Sequence, residues 1–162
     1  MWKEGWNYCA SSWPTDECPW QPLSAVQRVN NTAPSVMPLK TSEDVVRMRQ
    51  AVRTHAVELG FGLVDQTKLV TAASELARNT ILYGGGGEMT LEVLTQGERR
   101  GICLTFSDRG PGIADIGLAL KDGYTSGGGL GLGLGGAKRL SNEFHIDSQP
   151  GEGTRVTIKR WR

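Results

Sequence analysis

No apolar run in this 162-residue chain approaches the roughly 20 residues needed to span a bilayer. The first residues, Met1-Trp2-Lys3-Glu4-Gly5-Trp6-Asn7, lack the apolar centre of a secretory signal. Charge of one sign is also missing. Lys and Arg number 18, Asp and Glu 17, and no block of like charge occurs. The net charge of +1 gives no global pull toward nucleic acid or an anionic membrane, so neither is expected as a partner. The three cysteines, Cys9, Cys18 and Cys103, are odd in number and lack metal-type spacing. That argues against a disulfide framework or a zinc site and fits a reducing cytoplasm. There is no Walker G-K-[ST], no H-R-D and no D-F-G. The two histidines, His55 and His145, are read as ordinary surface or core residues, because no phosphoacceptor helix surrounds either.

Glycine is what the chain has in excess, at 22 residues, with seven of the ten positions from Gly127 to Gly136. Such local use points to backbone that must approach something or move. Residues 1–35 read differently from the rest. Four of the five tryptophans fall there, no period of 2 or 3.6 is visible, and a poorly ordered extension is expected. An aromatic docking segment is the alternative. Residues 36–162 suffice for one domain.

Within that domain Val36 to Leu39 suggest a short edge strand. Thr41 or Ser42 caps a helix carrying Val45, Met48, Val52, Ala56 and Leu59 at helical spacing, with Gly60 as its stop. A second helix is expected from about Asp65 to Tyr83, with Leu69, Ala72, Ala73, Leu76 and Thr80 buried. Strands at Met89–Thr95 and Ile102–Asp108 form a hairpin around a polar turn. A short helix near Asp115–Lys121 and a helix ending near Leu140 follow. Strands Glu143–Ser148 and Thr154–Trp161 then flank a tight turn. The order predicts an α/β (α+β) two-layer sandwich, with helices on one face of a mixed, mostly antiparallel sheet.

Three constellations carry chemistry. Glu75 and Asn79 are four residues apart and share one exposed helix stripe. A carboxylate there can take a hydroxyl proton, and an amide oxygen can meet a hard cation such as Mg²⁺. Such a pair on its own is more often an ordinary solvated face. Asp108-Arg109-Gly110-Pro111-Gly112 follows a strand. The carboxylate can accept from an exocyclic amine while Gly110 and Gly112 let backbone approach a flat ring, although D-x-G-P-G is also simply turn-rich. The run through Gly129, Gly131, Leu132, Gly133 and Leu134 exposes N–H groups that can wrap phosphates, with a helix N-terminus behind them. Its leucines count against a plain flexible linker. Gly131, Gly133 and Gly136 satisfy G-x-G-x-x-G, yet no strand or βαβ unit surrounds them, so a dinucleotide fold is not indicated.

In order and spacing these motifs resemble the N, G1 and G2 boxes of the GHKL superfamily, the histidine-kinase-like ATPases. Gly151-Glu152-Gly153-Thr154 resembles the segment that completes its adenine site. Over residues 36–162 the chain is most similar to the RsbT type of small serine/threonine switch kinases, through Glu58–Gly62, Ser74–Asn79, Asp122–Gly128 and Val156–Trp161. The resemblance implies ATP and Mg²⁺ as cofactors, with Asn79 as metal ligand and Glu75 as general base. It implies that Asp108 pairs with the adenine amine, Thr154 supports that pairing, and Gly129, Gly131, Leu132, Gly133 and Leu134 form the lid. Arg78 is expected at phosphate or partner contacts. The implied substrate is a Ser or Thr of a STAS-domain antagonist or scaffold protein, and a further partner is a PP2C-type phosphatase regulator. The alternative is an anti-sigma factor that sequesters a sigma factor, with kinase activity as its release switch. An ATP-binding scaffold without catalysis is a third reading, against which the intact Glu75 speaks.

Overall fold

The computed structural model describes residues 27–28, 33–121 and 133–162. Six strands among these residues form one sheet: β1 (Gln27–Arg28), β2 (Ser35–Leu39), β3 (Gly87–Gln96), β4 (Arg99–Asp108), β5 (Glu143–Gln149) and β6 (Gly153–Trp161). The strand order is β1-β3-β4-β6-β5, and β2 lies beside β1 on the same edge of β3. Every described pairing is antiparallel, where the sequence allowed a mixed sheet. Two residues of the segment set apart from the domain, Gln27 and Arg28, pair with Thr95 and Leu94. The β3–β4 hairpin runs further than its polar tip suggests. Gln96 still pairs with Arg99, and the loop shrinks to Gly97 and Glu98. Gly97 has φ 61, the left-handed conformation that two-residue hairpin loops ask of their first residue.

Among the described residues there are four helices: α1 (Ser42–Glu58), α2 (Leu63–Leu82), α3 (Ile116–Ala119) and α4 (Gly133–Arg139). The start of α1 is a capping box. The Asp44 N–H donates to Thr41 Oγ1 at 3.3 Å, and the Thr41 N–H donates to the Asp44 carboxylate at 2.9 Å. Hydrogen bonds from the Arg47 side chain, then from the Lys40 and Thr41 backbone, hold the Asp44 carboxyl well below the usual range. Gly60, with φ 75, ends α1 in a Schellman arrangement: its N–H reaches Val57 O, and the Phe61 N–H reaches Ala56 O, both at 2.9 Å.

The core lies between α1, α2 and one face of the sheet. Met48, Val52, Ala56, Leu69, Ala72, Ala73 and Leu76 meet Met89, Leu91, Ile102, Leu104, Phe106, Val156 and Ile158 there. Arg160 fastens the layers at one end. It donates to Asp65 in the first turn of α2, and through Nη1 to Leu140 O at 2.6 Å just past α4. That bond from Arg160 holds the Asp65 carboxyl below its ordinary value. On the opposite face Leu94, Cys103 and Trp161 make a small second cluster. The Trp161 indole lies over Gly101, where a Cβ would come within 2.5 Å of the ring, and its N–H donates to Glu143 at 2.8 Å. Burial pushes the Cys103 thiol up to about 11.

Candidate active site

A cavity of about 430 Å³ opens between the C-terminal half of α2 and the ends of β4 and β6. That volume falls within the range of roughly 300–1,000 Å³ typical of small-molecule sites. Glu75, Asn79, Asp108, Gly112, Gly133, Leu134 and Thr154 all line it. The sequence motifs therefore converge, although α2 and β6 lie some distance apart in the chain. Gly129, Gly131 and Leu132 fall outside the described residues.

Helix α2 delivers Glu75 and Asn79 one turn apart on the stripe beside its buried face. The stripe faces the cavity and is less exposed than its spacing alone suggests. Glu75 is only 5% exposed, and Asn79 is half-buried. Among the described residues nothing hydrogen-bonds the Glu75 carboxylate, so its acceptor capacity is directed at the cavity. Arg78 is exposed at the rim.

Asp108 ends β4 with its two oxygens differently used. Oδ1 accepts from the Gly110 N–H at 2.9 Å and from the Thr154 N–H at 3.2 Å. Oδ2 remains as an acceptor for whatever fills the cavity. Leu76, Phe106, Ile113, Ala119 and Val156 supply apolar walls around it. A largely apolar cavity with one fixed carboxylate oxygen suits a heterocycle bearing an exocyclic amine.

Backbone packing, besides the cavity, accounts for the glycines of this region. Gly110 does not line the cavity; a Cβ on it would stand 2.6 Å from the Gly84 Cα. Gly112 lines the cavity and has φ 72, yet its Cβ would collide with Gln149 O at 2.0 Å. Both are bare because backbone approaches backbone. Gly84, just past the C-cap Tyr83, belongs to none of the three motifs. A Cβ there would lie 2.4 Å from Asp108 Cγ, so the end of α2 packs directly on the site carboxylate. Gly84→Ala is expected to displace Asp108 and cost about 1–3 kcal/mol of stability. The check is ATP titration and thermal unfolding of the variant. Unchanged ATP affinity would show that the contact is not needed.

Ser148 lies outside the cavity but supports its wall, which the motifs do not reveal. Its Oγ accepts from the Ile113 N–H at 2.9 Å, donates to Gly153 O at 2.8 Å and meets Thr154 Oγ1 at 2.8 Å. Of the histidines, His55 bonds Ala51 O within its own helix, and His145 lies on β5.

Residues 64–161 match the family of histidine kinase-, DNA gyrase B- and HSP90-like ATPases. The serine/threonine-protein kinase RsbT of Bacillus subtilis is 45% identical over 127 residues, which cover 78% of this chain and 96% of that protein. The anti-sigma F factor of Pasteuria penetrans is 31% identical over 121 residues, covering 71% and 81% respectively. The crystal structure of the RsbU and RsbW domains of Rv1364c from Mycobacterium tuberculosis superposes with a TM-score of 0.57 at 21% identity. The match covers 81% of this chain and 33% of that one, and it shows a shared fold. The chain belongs to the histidine-kinase-like ATPases and, within them, to the RsbT-type serine/threonine switch kinases and anti-sigma regulatory factors. Among the described residues no helix is long and apolar enough to cross a membrane.

Proposed function

We propose that this kinase phosphorylates a Ser or Thr of a STAS-domain antagonist or scaffold protein in a bacterial partner-switching module, and that once released it activates a PP2C-type phosphatase regulator. The observation that carries the reading is one cavity shared by Glu75, Asn79, Asp108 and Thr154. Asp108 Oδ2 takes the adenine amine, and the apolar walls hold the ring. In this reading the phosphates extend toward Asn79 and Glu75, which line the same cavity. The incoming hydroxyl oxygen bonds to the γ-phosphorus and its proton passes to Glu75. The bond from the γ-phosphorus to the bridging oxygen breaks, and that oxygen keeps the electron pair on ADP. Positioning and charge neutralisation suffice for this chemistry.

Mg²⁺, when bound, neutralises charge on the phosphate oxygens. The Asn79 side-chain oxygen is the group to hold it. One neutral oxygen suits a cation that keeps several waters and takes phosphate oxygens as its other ligands. Among the described residues no group of three or more His, Cys, Asp or Glu could hold a metal, so such an ion would arrive with the nucleotide. Asn79→Asp places a negative charge against those phosphates. It is expected to weaken Mg-ATP binding, and unchanged affinity in titration would remove Asn79 from this role.

The second reading, a factor that sequesters a sigma factor directly, is supported by the 31% identity to an anti-sigma F factor. One experiment addresses both. The kinase is incubated with labelled ATP and a STAS-domain protein of its own host, and the modified side chain is located. Label on a Ser or Thr supports the proposal. No transfer, together with recovery of a sigma factor alone from the host, favours the second reading.

A further inference from the structure

Ser148 stands outside the cavity and touches no ligand position, yet its hydroxyl is fully committed. A serine hydroxyl has one proton and two lone pairs. The Gly153 carbonyl can only accept, so at 2.8 Å it takes the Ser148 proton. The Ile113 N–H can only donate, and at 2.9 Å it fills one lone pair. What remains for Thr154 Oγ1, also 2.8 Å away, is the second lone pair. Thr154 must therefore be the donor in that contact, and its proton points away from the cavity it lines. Toward the cavity Thr154 offers lone pairs only. Beside it, Asp108 Oδ1 is filled by two backbone N–H groups, and Oδ2 is likewise an acceptor.

We infer that Ser148 is a specificity-determining positioning residue: by holding the Thr154 proton it makes the base-recognition edge of the cavity acceptor-only. Such an edge welcomes the amine of adenine, directly or through a water that donates to Thr154. It repels the carbonyl oxygen that guanine carries at the same place. Ser148 also holds the Ile113 backbone, and Gly151 N–H donates to Pro111 O at 2.8 Å, so the loop after β4 and the β5–β6 turn are one unit. The inference rests on the nucleotide site proposed above.

The test measures ATP and GTP affinity for the full-length kinase and its variants, with the phosphate-transfer rate at saturating ATP. In Ser148→Ala the Thr154 hydroxyl is free to turn and donate to a carbonyl. The ATP:GTP affinity ratio is expected to fall roughly fivefold to tenfold, the scale of one hydrogen bond, with the saturated rate unchanged. Ser148→Thr keeps the hydroxyl and is expected to restore the ratio. Thr154→Val should lower the ratio to the same degree, and the double variant should fall no further, because Ser148 acts through Thr154. Should the alanine variant fail to fold, Ser148→Cys replaces it, with a smaller fall in the same direction expected from its weak donor. Equal loss of ATP and GTP affinity, or an additive double variant, would overturn the inference and leave Ser148 a purely structural residue. Failure of the unaltered kinase to bind ATP would instead remove the site itself, along with the inference built on it.

Discussion

Asp108→Asn is expected to lower ATP affinity by roughly 10²-fold, the scale of a lost charge-assisted hydrogen bond together with an opposed donor, while GTP loses much less. The surroundings decide how the new amide sits. The position of Oδ1 must still accept from the Gly110 and Thr154 N–H groups, so the amide oxygen occupies it. The NH₂ group is left at the position of Oδ2, facing the cavity. A donor then stands where the adenine amine needs an acceptor. The same donor suits the carbonyl of guanine, so preference shifts rather than binding simply failing. Calorimetric titration with both nucleotides checks this. Equal losses for ATP and GTP would mean that Asp108 supports the fold and does not read the base.

The largest effect on chemistry is expected at Glu75. Replacement by Ala is expected to reduce phosphate transfer by ~10²–10⁴-fold, the contribution of a positioned general base. ATP affinity should stay nearly constant, because the base meets the incoming hydroxyl and the nucleotide is held elsewhere. Glu75 is almost fully buried, so Glu75→Gln is the companion variant: it keeps the volume and removes the base. Loss of transfer in both, with binding intact, supports the assignment. Transfer at the parental rate in either would exclude it.

Much of the frame was legible along the chain because its signals are local. Thr41 and Asp44 are three residues apart and announce the start of α1 by capping chemistry. Gly60 announces the end of that helix by its conformation. The α2 stripe repeats at helical spacing, and its expected members Leu69, Ala72, Ala73, Leu76 and Thr80 are all buried. The motif residues were legible for a second reason, their resemblance to a known set of boxes.

What stayed hidden is non-local. Ser148 reaches Ile113 across 35 positions, and the Asp108–Thr154 contact, across 46, was legible only through the resemblance. No spacing rule links residues so far apart until the sheet is paired. Gly84 and Gly110 are small because each meets backbone or a side chain from another segment, a need that only packing reveals. Glu75 is legible as part of a stripe carrying chemistry, but not as a buried residue, since the wall opposite it is built from β4, β6 and α4.

The most direct measurement is a crystal structure of the kinase with Mg²⁺ and a non-hydrolysable ATP analogue. The adenine amine should lie within hydrogen-bond distance of Asp108 Oδ2, and the Asn79 side-chain oxygen should contact the metal beside the phosphates. A nucleotide bound outside the cavity between α2, β4 and β6, or one whose base points away from Asp108, would contradict the account.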